Sequence, residues 1–442
     1  MRLFQTSSLV VLTSISGSVM TVLANLFIAR ALGPSTMGAV SVLIAAPTIL
    51  AILSTLGLHT AAVYHLGRRT FPLPDILSTV LALLIAVSGF WAVALTLAFP
   101  LVHGYIFKNI ADQYSVIMLS TLPAQLVTTC FGDIFLSLNR YALFAATRLL
   151  PCALYLPGLL VLVLAFHLGL GGVVVAFSGA MFVAALVALA GAYRMGGLQL
   201  RFSTAYARTA LVFGLKAHVG ESAQYCNYRV DLLFVNYFAG LQAAGYYAIA
   251  VRIAELLFQI SSSMRLVLFT RVVHLTEAER DRLPPFLIRN TLLVTGTVAA
   301  ALYVASPLAV RLLLPSYLPS IPLLYLLLPG VCLATVFQMV TGALNGRGKP
   351  ALSMYLMVGG LLLGLTAYFL MIPRFGAQGA ALASTAVYTV ESLVAAVILC
   401  RLLSTPLHLL LVPQARDLSA MWRAGWQMSG NALRLRRLPG AR

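Results

Sequence analysis

Charge is scarce in this chain. Asp, Glu, Lys and Arg make up only 9% of the 442 residues, and acidic side chains number 11. Soluble globular domains carry roughly a quarter charged residues, so this chain has too little polar surface to fold in water. Hydrophobic residues make up 61%, and the mean hydropathy is +0.96. We therefore expect an integral membrane protein.

Motifs for metal binding and catalysis are also missing from the sequence. The five cysteines lie apart in apolar segments, with no CxxC pair and no His at metal-ligand spacing. There is no nucleophile triad, no metal-ligand cluster and no phosphate-binding glycine loop. The sequence predicts a protein that is not an enzyme and that holds no metal and no organic cofactor.

Long stretches without charge predict the membrane spans. Residues 3–29, 31–67, 76–107 and 149–193 contain no Asp, Glu, Lys or Arg. A spanning helix needs about 20 apolar residues, so each stretch holds one or two spans. With Gly and Pro as turn markers, twelve helices are predicted at 7–32, 38–66, 76–99, 114–138, 141–166, 170–193, 209–238, 243–269, 289–312, 322–344, 351–372 and 377–400.

The placement of basic residues predicts the orientation. The positive-inside rule puts both termini in the cytoplasm, because few of the 29 basic residues lie near the external turns. Those few are Arg30, Lys108, Arg311 and Arg374. The formal charge of +18 follows from this bias. Since the charges are spread over many loops, no nucleic-acid partner is expected.

The segment 403–442 is predicted to be a basic cytoplasmic tail. It carries Arg416, Arg423, Arg434, Arg436, Arg437 and Arg442. Trp422 and Trp426 are four residues apart, so one helical face could lie in anionic headgroups of the inner leaflet. A disordered basic tail explains the composition equally well, and both interpretations stay open.

The two halves of the chain share landmarks at a nearly constant offset of 206 or 207 residues. The matched pairs are Gly33 with Gly240, Gly38 with Gly245, Pro100 with Pro307, Pro123 with Pro329, Asn139 with Asn345, and Gly172 with Gly379. Six spans per half is an even number, so both halves enter the membrane with the same orientation. Two such bundles about an axis along the membrane normal can enclose a cavity that opens to one side at a time.

The repeat therefore predicts an all-α membrane fold of two pseudo-symmetric six-helix bundles. The bundles are expected at 1–200 and 201–402. This arrangement is that of an alternating-access transporter.

Ionisable side chains at membrane depth indicate where that cavity lies. A charge at the centre of a span costs about 2.5–3.5 kcal/mol on insertion scales, so such residues usually line a wet cavity. Predicted helices 7 and 8 concentrate them at helical spacing, so each of these two helices carries a polar stripe along its length. The residues assigned to the transport cavity are His218, Glu221, Tyr225, Arg229 and Asp231 on helix 7, and Arg252, Glu255 and Gln259 on helix 8.

The charge balance of these helices favours an anionic substrate. Basic residues outnumber acids there, and the planar donors of Arg suit phosphate or pyrophosphate. Arg252 and Glu255, three residues apart, could instead neutralise each other on one helix. Arg229 and Asp231 point to different sides and need partners elsewhere. Asp133 and Glu391 are isolated, and they are the candidates for coupling to H⁺ or Na⁺.

Two stretches resemble a known family. Ala29-Arg30-Ala31-Leu32-Gly33-Pro34-Ser35-Thr36-Met37-Gly38 resembles the first-turn signature of polysaccharide-transport flippases. So does the stretch from Tyr228-Arg229-Val230-Asp231 through Gly245-Tyr246-Tyr247-Ala248-Ile249-Ala250. These are Wzx-type lipid-linked oligosaccharide flippases of the multidrug/oligosaccharidyl-lipid/polysaccharide exporter superfamily, and the resemblance covers helices 1 to 12.

The resemblance implies a fold and a substrate. It implies a V-shaped pair of six-helix bundles, as in the multidrug extruders of that superfamily, in a bacterial inner membrane. The expected cargo is an undecaprenyl-diphosphate-linked glycan that moves from the cytoplasmic to the periplasmic leaflet. By matching position, Arg30, Arg229 and Asp231 are its expected site residues, whereas Arg252 and Glu255 follow from the stripe on helix 8. The lipid II branch often has two further helices, which counts against a peptidoglycan substrate.

Two other functions are possible for a membrane protein of this kind. A multidrug cation extruder would need an acidic cavity, and a membrane glycosyltransferase or glycan polymerase would usually need a large catalytic loop. Membrane lipids and the anionic lipid-linked glycan are the expected partners. A polysaccharide polymerase and chain-length machinery are further candidate partners.

Overall fold

A computed structural model describes residues 2–196, 198–199, 201–272, 277–412 and 414. This part of the chain is helical and contains no strand, which confirms the predicted all-α fold class. The helices are α1 (Arg2–Ser54), α2 (Leu58–Arg68), α3 (Leu73–Leu97), α4 (Phe99–Tyr105), α5 (Asp112–Leu119), α6 (Leu122–Ser137), α7 (Tyr141–Leu160), α8 (Gly169–Arg194), α9 (Thr204–Asn227), α10 (Val230–Ala254), α11 (Leu256–Val272), α12 (Glu277–Leu313), α13 (Ser320–Gly346), α14 (Pro350–Leu403) and α15 (Leu407–Leu411). A π-helical turn, Val161–Ala165, extends α7, and a 3-10 turn, Pro315–Tyr317, precedes α13.

Several of these helices are long and apolar enough to span a membrane. Over the described residues there are eight, or nine if the bent pair α10 and α11 counts as one span. The chain is therefore a multi-pass membrane protein by length and composition. The count of twelve spans and the cytoplasmic position of both termini stay predictions. The residues of the predicted tail that carry its arginines and tryptophans lie outside the described residues.

Glycines divide three helices, α1, α10 and α14, at the predicted turns. Gly33 in α1 has φ 78°, Gly240 in α10 has φ 85°, and Gly376 in α14 has φ 58°. This left-handed region is open to glycine because it lacks a Cβ. Pro34 follows the first break, where its missing N–H and fixed φ suit the start of a helix. Each of these long helices thus consists of two helical segments.

Four predicted spans are interrupted along their length. The spans predicted at 38–66 and 209–238 break at residues 55–57 and 228–229. The span predicted at 114–138 is α5 and α6, separated at Ser120 and Thr121, and Pro123 lies in the first turn of α6. Proline has no N–H to donate to the preceding turn, so a continuous helix is disfavoured there. The span predicted at 243–269 bends by 41° where α10 ends and α11 begins.

The chain forms two compact units. The first comprises Met1–Ala250, Leu308–Leu323 and Met357–Ala383. Its apolar core includes Phe131 and Phe135 of α6 and Tyr206 of α9, which are fully buried. Small residues allow close helix packing in it, since a Cβ on Gly191 would lie 2.7 Å from the side chain of Leu143.

The second unit comprises Val251–Pro307, Leu324–Leu356 and Ser384–Arg442. Hydroxyl groups of α14 donate to carbonyls of α13 in it, from Thr385 Oγ1 to Leu326 O at 2.5 Å and from Ser392 Oγ to Leu333 O at 2.8 Å. Such bonds between membrane helices contribute about 0.6–2 kcal/mol each. The predicted boundaries near residues 200 and 402 stay a prediction.

Candidate functional site

The junction of α9 and α10 holds a buried carboxylate. Asp231 lies in the first turn of α10 and is 3% exposed. Its Oδ2 accepts a 2.5 Å hydrogen bond from the hydroxyl of Tyr247, and its Oδ1 accepts from the backbone N–H of Leu232 at 2.7 Å. Tyr247 itself is fully buried. These two donors hold the carboxyl group in one orientation.

Arg229 lies between the two helices. α9 ends at Asn227 and α10 begins at Val230, and the N–H of Arg229 donates to the carbonyl of Cys226 at 3.0 Å. The hydroxyl of Tyr368 in α14 donates to the carbonyl of Asn227 at 3.3 Å, which pins the end of α9. Arg229 is half-buried. A helix end thus presents an arginine and a carboxylate two residues apart, within a single compact unit.

The residues of the predicted stripe on α9 differ in their exposure. His218 is 7% exposed, and its Nε2 lies 2.7 Å from the carbonyl of Ile52, 2.7 Å from Ser222 Oγ and 3.2 Å from Thr55 Oγ1. It therefore packs against the end of α1. Glu221 is exposed, and Tyr225 is half-buried. Their predicted role as cavity residues stays a prediction.

The second predicted stripe begins at the bend between α10 and α11. Arg252 lies in the last turn of α10, whereas Glu255 lies between the two helices, and both are half-buried. The backbone N–H of Glu255 still donates to Val251 O at 2.8 Å. Gln259, one turn further along, is exposed. The helix is thus interrupted at Glu255, three residues after Arg252.

The remaining predicted residues lie elsewhere. Arg30 is exposed, just before the break at Gly33. Asp133 of α6 accepts from Arg148 of α7, with Oδ1 to Nη2 at 2.9 Å. The sequence predicts an isolated Asp133, so this ion pair is a correction. Glu391 of α14 is 5% exposed and belongs to the second compact unit.

Within the described ranges, no group of three or more His, Cys, Asp or Glu side chains is arranged so that it could hold a metal ion. All five cysteines are free thiols, and each is buried or half-buried. The side chain of Lys216, which the sequence places near the cytoplasmic end of helix 7, is not among the described side chains.

Comparison with known sequences identifies the family. Residues 27–321, about two thirds of the chain, match the family model described as "Polysaccharide biosynthesis protein". An uncharacterized membrane protein of Methanocaldococcus jannaschii is 26% identical over 187 residues, which cover 41% of this chain and 37% of that protein. The match thus spans little more than a third of that relative's length.

Solved structures share the fold at low sequence identity. The lipid II flippase MurJ in an inward closed conformation has a TM-score of 0.77 at 13% identity, over 90% of this chain and 89% of that chain. An inward-facing multidrug resistance MATE family transporter of the MOP superfamily has a TM-score of 0.74 at 15% identity, over 88% and 94%. A MOP superfamily transporter from Pyrococcus furiosus, for which a reversed polarity of the binding pocket suggests a different function, has a TM-score of 0.62 at 16% identity, over 91% and 96%.

These matches support one conclusion about family and one about fold. The family match covers the glycine break in α1, the α9–α10 junction and the bend at Glu255. The structural matches cover nearly the whole chain and show its architecture. The chain therefore belongs to the polysaccharide biosynthesis protein family and has the fold of the multidrug/oligosaccharidyl-lipid/polysaccharide exporter superfamily.

Proposed function

We propose that this protein is a flippase that carries an undecaprenyl-diphosphate-linked oligosaccharide from the cytoplasmic to the periplasmic leaflet of a bacterial inner membrane. The oligosaccharide is a repeat unit of O-antigen, capsule or exopolysaccharide. Transport proceeds by alternating access, with no covalent chemistry at the protein. The proposal combines a polysaccharide-synthesis family with the fold of membrane transporters.

The observation that carries the proposal is the charged helix junction at Arg229 and Asp231. An arginine at this depth costs about 2.5–3.5 kcal/mol on insertion scales, so it needs a function that offsets the loss. A diphosphate group that passes Arg229 during transport would accept hydrogen bonds from its planar guanidinium group. Asp231, held by Tyr247, would keep Arg229 and its surroundings in a fixed arrangement between substrates.

The first experiment is a gene deletion. If the protein flips a lipid-linked repeat unit, its loss abolishes one cell-surface glycan, while the single lipid-linked unit accumulates in the inner leaflet. Extracted lipids are identified by mass spectrometry. Accumulation of long polymer would indicate a later step in assembly, and an unchanged glycan profile would reject the proposal.

Variants then test the junction. Loss of a charged hydrogen bond costs about 1.5–3 kcal/mol, so Arg229→Ala is expected to slow export about 10- to 100-fold. Arg252→Ala tests the second stripe in the same way. Arg311→Ala is the matched control, because Arg311 is exposed in the last turn of α12. Equal export in all three variants would remove these arginines from the site.

A multidrug cation extruder is the second candidate, favoured by the likeness to the MATE transporter. It requires acids to dominate the path, and here they are the minority. Cells that express the protein would then resist cationic drugs through Asp231 and Glu255, whereas the flippase proposal expects no change in drug resistance. Coupling to H⁺ or Na⁺ through Asp133 or Glu391 is a further proposal. Collapse of both ion gradients is expected to stop export.

A further inference from the structure

Two helical segments, the ones that follow the breaks at Gly33 and Gly240, touch each other through the backbones of their first turns. A Cβ on Gly38 would overlap the carbonyl oxygen of Leu241 and would lie 2.9 Å from the nitrogen of Gly245. A Cβ on Gly245 would overlap the carbonyl oxygen of Pro34 and would lie 3.1 Å from the nitrogen of Gly38. Only glycine fits at either position, because the opposing backbone occupies the space of a side chain.

The contact is reciprocal, and it keeps the register of the repeat. Pro34 and Leu241 are 207 residues apart, and so are Gly38 and Gly245. The first residue of each segment after its glycine break meets the fifth residue of the other segment. All four residues belong to the first compact unit. The contact therefore lies where a two-fold axis between the repeats would pass, at the end of the bundle that the basic residues predict to be external.

Single polar contacts flank the glycines. Lys108, in the loop between α4 and α5, donates to the carbonyl of Tyr237 at 3.4 Å and lies 5.1 Å from the centre of its ring. Asn236 Nδ2 donates to the carbonyl of Ile106 at 2.9 Å. These contacts join the first half of the chain to α10 just before Gly240. Water can replace each of them, so they hold the turns together reversibly.

A buried hydroxyl lies one turn deeper on the same helical face. Ser41 follows Gly38 by three residues and is 5% exposed. Within the described part of the chain, its Oγ is fully buried and has no hydrogen-bond partner. An unsatisfied buried hydroxyl is costly, and admitting water to it restores its hydrogen bonds. One turn from the contact, a polar group thus gains hydrogen bonds when water reaches it.

We propose that the reciprocal contact between Pro34–Gly38 and Leu241–Gly245 closes the transport path on the predicted external side and separates once in each transport cycle. The inference rests on the transport function proposed above. Glycine backbones can come together and separate without interlocking side chains, so closure depends on the close fit of the two helix backbones. A single methyl group on either glycine would hold the segments apart.

Thiol labelling tests the closure in the full-length protein. Ser41→Cys is introduced after replacement of the five native cysteines, and a membrane-impermeant maleimide is added outside intact spheroplasts. Labelling of Cys at position 41 is expected to be slow and to rise several-fold when Gly245→Ala is added. Gly104→Ala is the matched control, since no atom lies within 4 Å of a Cβ placed on Gly104 in α4. Fast labelling without Gly245→Ala, or no increase with it, would overturn the proposal.

A second measurement avoids any substitution of the glycines. Lys108→Cys and Tyr237→Cys place two thiols across the closed contact, and a short reducible bifunctional thiosulfonate links them. Export is expected to stop on linking and to return on reduction. Full export with the linked protein would overturn the proposal, even if Gly245→Ala failed to fold.

The two measurements separate this inference from the flippase proposal. Labelling at position 41 reports the opening of the contact and does not depend on the cargo. If labelling responds to Gly245→Ala but the deletion strain keeps all its glycans, the closure stands and the proposed cargo is wrong. If the deletion accumulates a lipid-linked unit but labelling does not respond, the cargo stands and the closure is wrong.

Discussion

The two halves of this chain share a backbone plan but differ in the chemistry placed on it. The second half carries Arg229, Asp231, Arg252 and Glu255, whereas the positions 207 residues earlier hold Val22, Ala24, Ala45 and Thr48. The glycine breaks at Gly33 and Gly240 have nearly the same geometry in both halves. The fold therefore needs the glycines, and it forms in the first half without the charges. Since buried charge lowers stability, we expect the charges at these four positions of the second half to serve the transport function proposed above.

Placing a charge in the first half should have the largest effect. Ala24, the position that matches Asp231, is 1% exposed. Val40 occupies the position that matches Tyr247, so the first half has no tyrosine hydroxyl there to donate to a carboxylate. Ala24→Asp is expected to cost about 2.5–3.5 kcal/mol and to lower the amount of protein in the membrane. Quantitative immunoblotting of membranes measures this, with Ala24→Ser as the control. Equal amounts of both variants would mean that the first half tolerates charge as well as the second.

Removing the hydroxyl that holds Asp231 should have the next largest effect. Tyr247→Phe leaves the buried carboxylate one donor short, at a cost of about 1–3 kcal/mol. The midpoint of thermal unfolding in detergent should fall by several degrees. Tyr246→Phe is the control, because its hydroxyl bonds to the exposed Gln242. In a double-mutant cycle, Asp231→Asn should reduce the cost of Tyr247→Phe, and additive effects would mean that the two side chains are not coupled.

The glycine breaks should respond equally. Gly33 and Gly240 both have positive φ, and a methyl group added to either would meet open space, so only the backbone conformation opposes a side chain. Gly33→Ala and Gly240→Ala are each expected to cost about 1–2 kcal/mol. Thermal unfolding in detergent measures both, with Gly67→Ala in α2 as a control of ordinary φ. Clearly unequal losses would contradict the equivalence of the two breaks.

A ring pair in the second half should give the smallest effect. Tyr303 and Tyr325 stack with centroids 4.0 Å apart, whereas the first half has Thr96 and Met118 at the matching positions. Tyr303→Thr removes a contact worth about 0.5–1.5 kcal/mol beyond simple burial. The shift in thermal midpoint should exceed that of Tyr355→Thr, since Tyr355 is 67% exposed. An equal shift would mean that the stack adds no stability.

The local features of the fold are readable from the sequence. Hydropathy and scarce charge predict an all-helical membrane protein, and Gly33, Gly240 and Gly376 mark the turns because few other residues accept positive φ. The register of 207 residues comes from the same landmarks. The interruption at Glu255 is not predicted, since no Pro or Gly stands there to signal it.

The sequence does not predict which side chains of different helices pair with each other. Asp133 and Arg148 are 15 residues apart on α6 and α7, and no periodicity connects two different helices. Tyr247 belongs to a stretch that resembles the family but has no partner assigned by sequence, although it holds Asp231 across 16 residues. The burial of His218 against Ile52 follows from the packing of α1 on α9. A helical stripe predicts which residues share a face, but it does not say what that face meets.

The glycine contact also has the form of an interface between two identical subunits. In an isologous dimer, residue i of one copy meets residue j of the other, and j meets i in return. Pro34 with Gly245 and Leu241 with Gly38 satisfy that rule within one chain. Each half thus presents the same self-complementary patch, as the two protomers of a dimer would. A chain cut at the loop near residue 200 should therefore reassemble from two co-expressed halves, with this patch as one of the places where they recognise each other.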